Sequence, residues 1–128
     1  MVLEGTIVLL CGVGLYASAF MYRKALRAER EGLDEPSVVE TPRARVLGGV
    51  PNAVIGILYY VAIAASVPFF GSATVWGAAF LASLAAAGFS LYLAYSLLVV
   101  TRMPCVYCWT SHAINWALPV LLLIARAP

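Results

Sequence analysis

Two cysteines three apart, Cys105 and Cys108, open the run MPCVYCWTSHAINW from Met103 to Trp116. A Cys-x-x-Cys puts both sulfurs on roughly one side of a first helical turn, close enough for an exchangeable disulfide, and the spacing suits redox chemistry or metal capture. A helix starting near Pro104, whose missing N–H is not needed in a first turn, places both sulfurs near the positive end of the helix dipole. Thiolate, the reactive form, is favoured there. Further along, Cys108, His112 and Asn115 are spaced by four and three, so a thiol, an imidazole and an amide share one helix face. Polar groups on a bilayer-spanning helix are costly unless paired, which makes this stripe the candidate site; the plainer reading of His112 is a satisfied core histidine.

The elements that position this stripe follow from composition. The 128-residue chain is 63% hydrophobic and only 11% charged, with a mean hydropathy of +0.94. A soluble domain carries roughly 25% charged residues, so an ordinary globule is excluded and a membrane protein is expected. Eleven of the 14 charged residues fall between Arg23 and Arg45, which leaves long uncharged runs of the roughly 20 residues that cross a bilayer. Four spans are expected, at about 6–22, 52–70, 75–100 and 105–125. Only helices or closed barrels satisfy the backbone in lipid, and the short connections imply an antiparallel bundle. The fold class is therefore all-α, an integral membrane four-helix bundle forming a single transmembrane domain over residues 1–128.

The first run resembles a signal peptide in length, but no Lys or Arg precedes it and a basic cluster follows, so it reads as a retained helix. Gly12, Gly14, Ala17 and Ser18 give it small residues for close helix approach. Cys11, amid Leu, Val and Gly, reads as packing. Residues Arg23 to Leu33 contain helix formers and an Arg27–Glu31 pair, consistent with an exposed extension; the plainer reading is a solvated loop. Asn52 opens the second span either as a helix cap or as a ligand-facing amide. Tyr59 and Tyr60 lie two turns further in, and a buried phenol needs a partner, so at least one faces the bundle interior. Tyr92 and Tyr95 read as membrane-interface anchors. Pro119 marks a kink in the fourth span.

The run Gly49-Val50-Pro51-Asn52 with Gly56 and Tyr60 downstream, followed by Pro104, Cys105, Cys108, Trp109 and His112, resembles the vitamin K epoxide reductase family over most of the chain from Thr41 onward. The resemblance implies a four-helix bundle around a quinone, with vitamin K epoxide as a further family substrate; the expected quinone, for a microbial chain, is of menaquinone or ubiquinone type. It also implies that Cys108 faces the quinone while Cys105 exchanges disulfides with an incoming thiol. Asn52 matches the family's asparagine that bonds a quinone carbonyl, and His112 stands where the family has a tyrosine or histidine near the other end. Tyr60 completes the expected cofactor contacts, and Trp109 lines the apolar slot or faces lipid. Family members usually carry a second cysteine pair after the first helix; residues 23–51 here contain no cysteine. The expected electron donor is therefore a soluble thioredoxin-like dithiol protein that attacks the Cys105–Cys108 disulfide directly. Membrane lipid and the quinone pool are the other expected partners, with no nucleic acid.

Sidedness divides the two lines of reasoning. Arg23, Lys24, Arg27, Arg30, Arg43, Arg45 and Arg102 flank the cysteine face and only Arg126 the other, which by the positive-inside tendency puts the cysteines on the cytoplasmic side of a multi-pass cell-membrane protein. The family resemblance implies an extracytoplasmic site. An inverted arrangement suits cells whose intracellular proteins keep disulfides. Two alternatives stand beside this reading: a soft-metal site built from Cys105, Cys108 and His112, and a tetraspan assembly subunit with incidental cysteines.

Overall fold

The computed structural model describes residues 2–32, 45–46 and 50–126. Four helices dominate it: α1 (Val2–Glu31), α2 (Asn52–Ser66), α3 (Ala73–Tyr95) and α4 (Val106–Arg126). All four, with short extensions to α2 and α3, are long and apolar enough to cross a membrane. The all-α bundle is thus as the sequence implies. A single antiparallel rung, β1 (Arg45–Val46) against β2 (Val50–Pro51), precedes α2, with Arg45 opposite Pro51. It was not foreseen.

Helix α1 differs most from expectation. It continues as one 30-residue helix as far as Glu31, so Arg23 to Glu31 is an extension of the span and not a solvated loop; Leu33 lies outside the described residues. The strong helix formers Lys24, Ala25, Leu26, Arg27, Ala28, Glu29 and Arg30 supply the propensity. Gly32, at φ +74°, provides the left-handed residue that ends it, its N–H donating to the carbonyl of Ala28 at 3.2 Å.

The boundaries of the other helices have local causes. Pro51 holds the extended capping position before α2 and offers no side-chain acceptor, so Asn52 is the first helical residue and not the cap. Pro68 draws the end of α2 into a 3-10 turn over Val67–Phe69. Ser72 caps α3 by accepting the Val75 N–H. After Tyr95 the chain widens into a π-helical segment, Ser96–Thr101, which stops at Arg102 with φ 54°. Helix α4 starts at Val106, two residues after Pro104, which leaves Cys105 in the position just before the helix.

Helix α1 packs along α2 and α4, and α3 along α4, whereas α2 and α3 meet over a small area. The core sits at the end of the bundle away from the cysteines, where Ile7 and Cys11 of α1 meet Ile63 of α2, Ala79 of α3, and Ile114, Leu118 and Leu122 of α4. Trp76 closes that end, donating from Nε1 to the Leu122 carbonyl at 3.0 Å, with the Arg126 guanidinium 5.4 Å above its ring. Leu9, Leu58, Leu81, Leu98 and Leu123 point outward, as lipid-facing residues do.

Small residues create one tight notch between α1 and α2. A Cβ on Gly14 would fall 2.5 Å from the ring of Tyr60, and one on Gly56 would fall 2.6 Å from Ser18 Oγ. Gly14, Ala17 and Ser18 are buried as expected, but Gly12 is exposed and has nothing within 4 Å of where its Cβ would be. Of the expected small-residue contacts, Gly12 alone lies on the outer face.

Candidate active site: a disulfide at the rim of an apolar cavity

The end of the bundle that carries the cysteines is hollow. A cavity of about 570 Å³ lies between the first turns of α2 and α4, the last apolar turns of α1 and the middle of α3. Helix α2 contributes Asn52, Ile55, Gly56 and Tyr59, which recur on one helix face; α3 contributes Ala82, Ala85, Ala86, Phe89 and Ser90. The alanines make the α3 wall flat and apolar, and the small contact between α2 and α3 leaves room for the cavity there.

From α4, Cys108, Ser111, His112 and Asn115 face the cavity. The thiol, imidazole and amide stripe read from the four-and-three spacing is thus brought together on one wall. Cys105 and Cys108 form a disulfide with Cα atoms 5.2 Å apart. Only Cys108 is on the cavity wall; Cys105 lies outside it, half-buried at the end of the bundle. The Cys108 N–H donates to Cys105 Sγ at 3.2 Å and the Trp109 N–H to the Cys105 carbonyl at 3.1 Å. Cys105 therefore stands as a helix-capping residue does, with its sulfur taking a first-turn N–H at the positive end of the dipole. Such a donor stabilises a thiolate when the disulfide opens.

The polar side chains of the cavity divide into two sets. The Tyr60 hydroxyl donates to Asn115 Oδ1 at 2.7 Å, with the Ser111 carbonyl 3.3 Å away, and Asn115 Nδ2 donates to Ser90 Oγ at 2.7 Å. This chain ties α2, α4 and α3 together and commits those groups to one another. Tyr59 Oη and His112 Nδ1 are different: both are buried and neither has a hydrogen-bond partner among the described residues. Buried polar atoms are seldom left unpaired, so these two are the cavity-lining groups with hydrogen-bonding capacity to spare.

His112 is fixed by stacking. Trp109 meets its ring edge-on at 5.8 Å and Trp116 lies at 6.1 Å on another side. Trp109 does not line the cavity, being packed against His112 instead. Tyr107, between the two cysteines, does line it and stacks on Phe20 of α1 with ring centroids 4.1 Å apart. The three ligands of the alternative metal reading do not converge: among the described residues no three His, Cys, Asp or Glu side chains group together, and two of the three are joined as a disulfide.

The sequence pattern of the vitamin K epoxide reductase family matches residues 6–123, nearly the whole chain. The chain belongs to the vitamin K epoxide reductase family. No curated protein matches it. Membership and the four apolar helices together make this vitamin K epoxide reductase family member a multi-pass membrane oxidoreductase. Within it, sequence reasoning had singled out Asn52, Tyr60, Cys108 and His112, all on the cavity wall, and Cys105 beside it. It passed over Tyr59 as a specific site residue, Ser90 and Tyr107. Tyr59 carried a signal, since one of two adjacent tyrosines had to face inward. Ser90, in an alanine-rich run, carried none.

Proposed function

We propose that the protein is a thiol oxidase of the membrane, which generates a disulfide in a soluble thioredoxin-like protein and passes the two electrons to a quinone in the cavity. One observation carries the reading: a single disulfide has one sulfur on the wall of an apolar cavity and the other outside it. A partner thiolate attacks Cys105 Sγ, the Cys105–Cys108 bond breaks, and its electron pair goes to Cys108. The partner's second thiol then displaces Cys105, forming the partner's disulfide and leaving the chain with two thiols. Re-forming the Cys105–Cys108 bond releases those two electrons and two protons at the cavity wall.

A quinone of the menaquinone or ubiquinone class, bound in the cavity, would supply the acceptor for those two electrons and two protons. The residues present fit such a group. The cavity is apolar for the ring, and His112 Nδ1 and Tyr59 Oη are buried groups open to hydrogen bonds with carbonyl oxygens. Asn52 adds an amide from α2, and the Tyr60–Asn115–Ser90 chain holds the wall in place.

The test is quinone-dependent oxidation of a reduced thioredoxin by purified protein, with Cys105→Ala and Cys108→Ala as controls. Activity lost in both variants supports the reading; no activity in the wild type sinks it. We assign the cysteine end to the cytoplasmic side on the weight of Arg23, Lys24, Arg27, Arg30, Arg43, Arg45 and Arg102 against Arg126. A reporter fused to the C-terminus is then extracytoplasmic. A cytoplasmic reporter instead puts the cysteines outside, because four spans place the C-terminus opposite them.

A further inference from the structure

The sequence has three cysteines, and Cys11 is only 1% exposed, inside the core cluster at the far end of the bundle. Within these 128 residues the Cys105–Cys108 disulfide therefore has no accessible second thiol to exchange with, and the thiol source is the thioredoxin-like partner of the reading above. That thiol approaches over the surface beside Cys105.

Among the described residues, helix α1 supplies both aromatic and basic side chains at this end of the bundle. Tyr16 and Phe20 both touch Tyr107, the residue between the two cysteines, at ring distances of 6.5 and 4.1 Å. Steps of three and four carry the same helix face on through Arg23, Arg27 and Arg30, all exposed. Lys24 lies alongside; of the two acidic residues at the tip, Glu31 sits four residues after Arg27 on the ridge, and Glu29, about 200° around from Arg27, is on the opposite face. Arg102, exposed and bonded through Nε to the Val99 carbonyl at 3.0 Å, adds a cation three residues before Cys105. The stripe that begins as aromatic contact with the cysteine loop thus becomes a basic ridge rising past it.

Distance separates a protein-facing ridge from a lipid-facing one. The uncharged run ends at Tyr22; at 1.5 Å per residue Arg27 lies about 7.5 Å beyond it and Arg30 about 12 Å. Headgroups add only roughly 5–8 Å to each side of the hydrocarbon. Arg23 is at headgroup depth, whereas the tip of the ridge is in water.

We propose that the basic ridge, which starts from Arg23 at headgroup depth and reaches water at Arg27 and Arg30, with Arg102 beside the cysteines, docks an acidic surface flanking the dithiol of a soluble thioredoxin-like partner. This rests on the thiol-oxidase reading above and specifies the partner's chemistry. Complementary charge raises the encounter rate and orients the partner thiol toward Cys105.

The experiment uses full-length protein in zwitterionic nanodiscs, where both faces are accessible, with a menaquinone as acceptor. Donors are a reduced thioredoxin of acidic net charge and, separately, dithiothreitol. Replacing Arg23, Arg27 and Arg30 together by Gln is expected to raise KM for the thioredoxin about tenfold with little change in kcat, and to flatten the salt dependence of KM. Dithiothreitol turnover stays at the wild-type level, which reports an intact fold and site, and the corresponding triple Lys variant keeps the wild-type KM. An unchanged KM in the Gln variant overturns the ridge, as does a wild type that oxidises dithiothreitol but not the thioredoxin. A defect seen only in discs of anionic lipid overturns it in favour of headgroup binding. Failure of the wild type with dithiothreitol removes the thiol-oxidase reading itself, and the ridge with it.

Discussion

The hydroxyl of Tyr60 lies 2.7 Å from Oδ1 of Asn115, across the interface of α2 and α4. That bond fixes which way the Asn115 amide points and so lets Nδ2 donate to Ser90 on a third helix. Tyr60 can reach Asn115 because its ring fills the space left by the missing side chain of Gly14. A glycine on α1 thereby sets the wall of a cavity built mainly by the other helices.

Tyr60→Phe should leave the half-buried Asn115 Oδ1 on the cavity wall without its donor. The expected loss is about 1–3 kcal/mol of stability, read as a lower melting temperature in detergent. A melting temperature equal to the wild type would mean that the bond contributes nothing.

Gly14→Ala should destabilise by about 1–3 kcal/mol through overpacking against the Tyr60 ring. Gly12→Ala, on the same helix but facing outward, should leave the melting temperature unchanged or raise it slightly. Equal effects of the two substitutions would remove the notch as their explanation.

Tyr59→Phe is expected to behave unlike Tyr60→Phe. It removes a buried hydroxyl that has no partner among the described residues, so stability should hold or rise, while KM for a quinone should increase about five- to tenfold for the loss of one hydrogen bond. An unaltered quinone KM would take Tyr59 out of the binding site.

Cysteine trapping distinguishes the two sulfurs. A thioredoxin that retains one cysteine, activated as its mixed disulfide with thionitrobenzoate, should be attacked by the Cys105 thiolate of the Cys108→Ala variant, releasing the dye and leaving a stable mixed disulfide. The Cys105→Ala variant, whose remaining sulfur lines the cavity, should react on the order of 100-fold more slowly because rate depends on access. Faster trapping through Cys108 would reverse the assignment.

The readable parts of the sequence were those with a periodic signal. Four uncharged runs gave four helices, and the spacing of Cys108, His112 and Asn115 gave the cavity wall on α4. Trp109 was harder: one residue past Cys108 is about 100° around the helix, which turns it toward His112 instead of into the cavity. The adjacent tyrosines were ambiguous for a related reason. Both lie on the inner half of α2, and what separates their roles is Gly14 on another helix, a contact 46 residues away in sequence from Tyr60. The Arg23–Glu31 extension has helix propensity but no apolar period, so propensity alone had to decide between helix and loop. Asn52 as cap or first residue turned on a single position, taken by Pro51.

Burial of Cys11 has a practical consequence. It is a free thiol that is almost wholly enclosed, while every other sulfur of cysteine sits in the one disulfide at the open end of the bundle. A maleimide applied to the folded protein should therefore add no mass to the oxidised chain and two labels to the reduced one, with Cys11 reporting only after unfolding. The protein carries its own two-position gauge of redox state, and a band shift on a gel reads it without any mutation.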